Sequence, residues 1–235
     1  MLGQVDQAES HLVNEGVGPG SLFLFWGWFE HEVAAASFHR SDGFSSIFGY
    51  LEIERVVDVA SGEVPSFAPY HPHFAEQYPR QRNRVYIARD RLSWNPAKPG
   101  WGVFRFGRRL RLSVEGKRRS NWSLPGCFHP EAGCVLTFNT NRDLWGSPSM
   151  ETELQIPARG QEFVCPLTGQ IEEWACGLID ETPIWTPTSD AGHVPPRPVA
   201  RPATSAFVGV YTAHTARLQS RLVPKPLLAP SVLRG

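Results

Sequence analysis

Apolar residues along this chain recur in two rhythms, one helical and one strand-like, and the strand-like rhythm dominates. Val5, Ala8 and Leu12 fall at i, i+3 and i+7 and predict a short helix over residues 4–15, closed by the turn-forming run Gly16-Val17-Gly18-Pro19-Gly20. Residues 21–29 (SLFLFWGWF) are then continuously apolar and aromatic, the pattern of a strand buried on both faces. After a polar connection at 37–43, residues 44–59 read as a long strand kinked at Gly49, with Leu51 and Ile53 alternating against Glu52 and Glu54. Aromatic, β-branched strands of this kind are expected to pair antiparallel.

Further strands are predicted at 83–88, 102–106 and 110–114, the last two joined by a tight hairpin at Gly107-Arg108, and at 134–139 and 162–165. Between 83–88 and the preceding long strand lies a loop rich in Pro and aromatics, 60–80, containing Tyr70-His71-Pro72-His73. Ile171, Trp174 and Leu178 place one apolar face on a helix over 170–179. Beyond Glu181 the periodicity stops, Pro becomes frequent, and a disordered tail is expected over 182–235. The expected architecture is therefore one β-rich α+β domain over 1–181, a small barrel or a strongly curved sheet with short flanking helices.

Composition adds little to that picture, since 41% hydrophobic and 20% charged residues are ordinary for a globular chain. The 21 Gly and 21 Pro favour short strands and turns over long helices, and 8 Trp with 14 Phe provide rings for a core or for stacking on bases. The polar, acidic start carries no secretory signal pattern, and the longest apolar run is too short to span a bilayer. A cytoplasmic protein with no membrane partner is expected. Cys127, Cys134, Cys165 and Cys176 follow no zinc-ligand spacing, so buried free thiols and no metal are expected.

Charge distribution changes the picture more. The chain is formally neutral, yet residues 80–119 hold 13 Lys or Arg and only Asp90 and Glu115 as acids. Residues 1–79 hold 11 acids and only Arg40 and Arg55 as permanent cations. Clustered cations release counterions from phosphates, so this window points to a nucleic acid or nucleotide partner. Arg80, Arg82 and Arg84 open it, and Lys117, Arg118 and Arg119 close it beside Ser120 and Trp122, a mixture suited to phosphate contact and base stacking.

Other residues extend this reading. Trp26 and Trp28, with Phe29, have the composition of an aromatic cage for a flipped base, or of a core strand. Asn139, Asn141 and Arg142 carry the amide and guanidinium groups that read base edges. His71 and His73 flank a proline, where extended geometry turns both imidazoles to one side for proton transfer, phosphate contact or shared metal binding. No Walker A loop, nucleophile elbow, dinucleotide fingerprint or zinc-deaminase signature is present, so no common enzyme class and no cofactor is indicated.

The ordered motifs GPGSLFLFWGWF (18–29), IFGYLEIE (47–54), HPH (71–73), RSNWSLP (119–125) and GQEFV (160–164) resemble the nucleotide modification associated domain, third type, over about residues 2–180. That resemblance implies a bacterial or phage domain working alongside enzymes that modify nucleic-acid bases. Two departures stand out: Gly20-Ser21 occupies the place of a Gly-Asp pair, and the chain starts at its first helix where relatives begin upstream. A truncated, inactive relative is thus a third expectation, beside a binding domain and an enzyme using His71 or His73 as acid–base group. The strand carrying FGYLEI is also similar, at the level of fold, to PUA-like barrels.

Overall fold

The computed structural model describes residues 1–29, 43–76, 78–134, 136–156, 163–167 and 169–185, with the backbone of 207–212. Its elements are β1 (Leu2–Val5), α1 (Asp6–Asn14), β2 (Leu22–Phe29), β3 (Phe44–Asp58), β4 (Asn83–Ala88), β5 (Trp101–Val103), β6 (Asn121–Pro125), β7 (Glu151–Gln155), β8 (Phe163–Pro166), α2 (Gly169–Glu181) and β9 (Phe207–Thr212). The polar connection expected at 37–43 and most of the Pro-rich tail lie outside the described residues.

The fold is α+β, built on a strongly curved half-barrel sheet. Strands run in the order β1-β4-β3-β2-β9-β8, and β6 with β7 forms a separate antiparallel pair. β3 organises the sheet because its aromatic and β-branched residues pair along both edges. β2 lies antiparallel on one edge, with Phe29 opposite Phe44 and Leu22 opposite Glu52. The pairing skips Phe48, and a second skip at Glu54 interrupts the register with β4. Each bulge bends a strand and increases its twist, which curls the sheet.

The other edge of β3 is covered by β4 and then β5. Ala88 sits opposite Ile53, and Trp101 opposite Leu51, so β4 and β5 follow one strand line broken by the excursion 89–100. At Gly49 a Cβ would come 2.7 Å from the Gly102 carbonyl oxygen, so this crowded crossing requires glycine.

Apolar residues of the two sheet faces build separate cores. On one face Leu24, Trp26, Ile47 and Tyr50 meet Trp122, Leu154 and Phe163, and the α2 residues Ile171, Ala175 and Leu178 close the cluster. On the other, Phe23, Leu51, Ile53 and Tyr86 pack with Leu12 of α1 and with Val164. Of the face expected on α1, only Leu12 is fully buried, and Glu9 is buried beside it. No helix among the described residues is long and apolar enough to cross a membrane.

Three local expectations are corrected. The hairpin at Gly107-Arg108 is instead a single 3-10 turn, Arg108–Leu110. The chain around it runs beside the start of β3, where Arg111 bridges Ser46 and Leu112 N–H donates to the Ser45 carbonyl (2.8 Å). Among the described residues of 134–139 there is no strand, since Thr137 N–H makes one bond to the Val164 carbonyl (3.1 Å) without a ladder. Gln4 and Val5, expected to open the helix over 4–15, instead belong to β1, which pairs antiparallel with β4.

Candidate nucleic-acid interface

Acids engage some cations of the basic window and leave others without an acid partner among the described residues. Acids from the N-terminal region engage its first arginines: Arg82 pairs with Asp6 (3.4 Å), Arg84 with Glu9 (3.1 Å), and Arg89 with Glu52 (3.1 Å). Glu52 is 2% exposed and also accepts from the Ser93 N–H (2.7 Å), making this the most buried ion pair described. Lys98 donates to the Ile179 and Asp180 carbonyls (2.6 and 2.7 Å) at the end of α2, where a cation complements the helix dipole. Farther along, Arg109 pairs with Glu181, and Lys117 reaches both oxygens of Glu153 at 2.6 Å.

Arg105, Arg108, Arg111, Arg118 and Arg119 have no acid partner among the described residues. All five lie on the segment that wraps the end of the β2–β3 hairpin. Serine hydroxyls build that wrap. Ser113 Oγ donates to the Arg119 carbonyl (2.9 Å) and accepts from the Ser45 N–H (2.7 Å), while Ser45 Oγ donates to the same carbonyl (3.2 Å). Ser46 Oγ donates to the Leu110 carbonyl at 3.0 Å.

So anchored, the segment lays cations on rings. The Arg119 guanidinium carbon is 3.0 Å from the Trp28 ring centre, and that of Arg111 is 5.3 Å from Phe44, both within cation–π range. Phe44 stacks on Phe29 (5.8 Å) and meets Phe106 (5.1 Å, planes at 50°). Phe106 remains 62% exposed. The result is a rim of arginines and aromatic rings around the first residues of β3, able to hold phosphates beside a stacking surface.

The sequence-predicted residues fall in several places. Trp28, Arg118 and Arg119 lie in the rim, and half-buried Ser120 follows them, its carbonyl accepting from Ile156 N–H (2.9 Å). Trp26 and Trp122 meet edge to face at 4.5 Å inside the larger core, 2% and 0% exposed, so their rings face protein. Asn141 caps the turn Arg142–Leu144 by accepting from the Asp143 N–H (3.1 Å), and Arg142 is exposed beside it. Buried Asn139 turns its carbonyl to the Trp145 indole N–H (2.8 Å). Arg80 is exposed near the other end of β3.

His71 and His73 also lie toward that other end, against β1 and β4. His73 Nδ1 is 2.7 Å from Asn83 Oδ1, and its ring stacks on Tyr78 at 4.7 Å. A Cβ on Gly3 would come 2.3 Å from the His73 ring, so β1 needs glycine there to pass beneath the imidazole. His71 Nδ1 accepts from the His73 N–H (3.4 Å) at the start of the turn Pro72–Phe74. Burial, the neighbouring His73 and the chain's N-terminal amine hold His71 below the ordinary histidine range. Neither imidazole is bonded to a carboxylate among the described residues. His73 thus sits against Asn83 of β4, whereas Arg119 sits against Ser45 and Trp28 at the start of β3 and the end of β2.

Sequence reasoning passed over Phe44, Phe106, Arg105, Arg108 and Arg111 as individual site residues. The signal was local: RFGRRLR (105–111) interleaves cations with an aromatic ring, the composition of a stacking and phosphate-binding strip. All four cysteines are free. Burial raises Cys127, and raises Cys176 to about 12, whereas a hydrogen bond from Cys165 lowers Cys134. Among the described residues no three His, Cys, Asp or Glu side chains converge as a metal site would require.

The model of the family described as nucleotide modification associated domain 3 matches residues 1–166. No curated protein and no solved structure matches the chain.

Proposed function

Since the chain belongs to the nucleotide modification associated domain 3 family, we propose that it binds nucleic acid or nucleotides in the setting of base modification, through the arginine–aromatic rim at the β2–β3 hairpin end. The observation that carries this reading is that Arg119 lies over Trp28 and Arg111 over Phe44, which also meets Phe106, while Arg105, Arg108 and Arg118 lie on the same wrapped segment without an acid partner among the described residues. N-terminal acids pair with Arg82, Arg84 and Arg89 in the first half of the basic window, which leaves more of its unpaired arginines at this end. Arg118 and Arg119 hold phosphates in this reading, and base-modifying enzymes are the partners with which the domain works.

The competing reading, catalysis by His71 or His73, has less behind it. His73 is fixed between Asn83 and Tyr78, and no acid completes a proton-transfer pair among the described residues.

Affinity for nucleic acid measured across salt concentrations tests the proposal. The logarithm of the binding constant is expected to fall linearly with the logarithm of salt, and Arg118→Ala to reduce that slope by about one phosphate contact. Absence of binding to both single strands and duplexes at low salt would falsify it.

A further inference from the structure

We propose that the outer side of the rim selects single-stranded nucleic acid, stacking one unpaired base on Phe106 while Arg105, Arg108 and Arg111 hold the flanking phosphates. This rests on the polyanion reading above and narrows it to one substrate class.

The first support is that Phe106 is exposed yet held. Its ring leans on Phe44, which is only 6% exposed and is itself packed on Phe29 and covered by Arg111. The backbone on both sides is tied down. Phe104 N–H donates to the Phe48 carbonyl (2.8 Å), Arg105 N–H to Pro183 (2.8 Å), and Leu110 N–H to Gly107 (3.0 Å). An exposed ring that costs little entropy to order is the element from which base-stacking platforms are made.

The second support is charge placement. Arg105 precedes the ring and Arg108 follows it by two residues, both exposed and without an acid partner among the described residues. Arg111 uses Nε on the Ser113 carbonyl (3.0 Å), which fixes the fork and leaves its terminal nitrogens for an acceptor.

Shape decides between substrate classes. A base within a duplex has both faces stacked on its neighbours, so it cannot lie on Phe106. A free nucleotide needs enclosure, and small-molecule sites usually exceed about 300 Å3. Among the described residues Phe106 presents an open ring, 62% exposed, and the concavities of about 80 and 190 Å3 lined by Val59 and Arg80 and by Arg109 and Glu181 do not include it. A flexible strand, with unpaired bases and successive phosphates, fits an open aromatic surface flanked by arginines.

Fluorescence anisotropy of the full chain with a labelled oligothymidylate of about 12 nucleotides, within the usual range of single-strand site sizes, gives the test. A hairpin duplex of equal charge and ATP serve as competitors. Expected are at least tenfold preference for the single strand, about tenfold loss in Phe106→Ala, and retention of binding in Phe106→Tyr. The salt slope stays unchanged in Phe106→Ala and falls by about 0.7 in Arg108→Ala. Equal duplex affinity, or unchanged single-strand affinity in Phe106→Ala, overturns the single-strand inference and leaves polyanion binding standing. No binding of any probe at low salt removes both.

Discussion

The guanidinium of Arg119 rests over the Trp28 ring because the Arg119 backbone is fixed one step away. Its carbonyl receives the hydroxyls of Ser45 and Ser113, and Ser113 also accepts from the buried Ser45 N–H. Ser113→Ala leaves that amide without its acceptor and frees the arginine-bearing turn. We expect a loss of about 1–3 kcal/mol in urea unfolding, the cost of an unsatisfied buried donor. Nucleic-acid affinity should fall as well. Ser113→Thr, which keeps the hydroxyl, should recover most of both.

Glu52 tests whether the buried charge between β3 and the 89–100 excursion is structural. It meets Arg89 at 3.1 Å and Ser93 N–H at 2.7 Å, almost without water contact. Glu52→Ala leaves a guanidinium that is one-fifth exposed without its counter-charge, and breaking such a pair costs about 3 kcal/mol or more. Thermal unfolding should show it as a large drop in Tm. Salt should rescue little of the loss, because a buried pair is weakly screened. A variant of wild-type stability would contradict this role.

Gly3 and His73 make a steric pair. Gly3→Ala drives a methyl group into the imidazole held by Asn83 and Tyr78, and overpacking of this kind costs about 1–3 kcal/mol. Replacing His73 by Ala in the same chain removes the obstacle. A double-mutant cycle should therefore give a favourable coupling, with Gly3→Ala less harmful in the His73→Ala background. Additive losses would show that β1 passes His73 without contact.

His71 and His11 set the acid side of stability. Burial is the leading cause that lowers both, so the folded protein favours the neutral ring. The unfolded chain then takes up protons first, near its ordinary value of about 6.5. Stability contributed by the neutral rings is full above that pH. It declines as pH falls from about 6.5 through the lowered folded values, then levels off. Chemical unfolding midpoints measured across this window should show the decline, and His71→Asn should flatten it. A midpoint that rises on acidification would reverse the assignment.

Strands β2, β3 and β4 were legible because each carries a run of aromatic or β-branched residues bounded by turn formers, and α2 because Ile171, Trp174 and Leu178 share a face. The β6–β7 pair was not: Glu151–Gln155 is polar at four of its five positions, and pairing with Asn121–Pro125 makes it a strand. The site was legible as charge and not as geometry. A window rich in arginine does not say which cations meet acids, since Asp6, Glu9 and Glu52 are distant in sequence from the residues they neutralise. Phe44 and Phe106 were hidden for the same reason, belonging to different segments that only the wrap around β3 brings into contact.

The break between β4 and β5 has a consequence for how this sheet can vary. Ala88 and Trp101 flank positions only two apart on β3, roughly 7 Å of strand, so the chain leaves and re-enters the wall almost at one point. Such a seam is nearly indifferent to the length of what it carries: each doubling of a loop costs only about 0.6 kcal/mol of closure entropy. Segments can be lengthened or exchanged there without shifting the register on either side, provided they return the Arg89 and Ser93 contacts that Glu52 needs, the buried Leu92 and the Lys98 bonds to the end of α2. The half-barrel thus has a built-in port for new sequence, distant from the rim in function yet joined to it along a single strand.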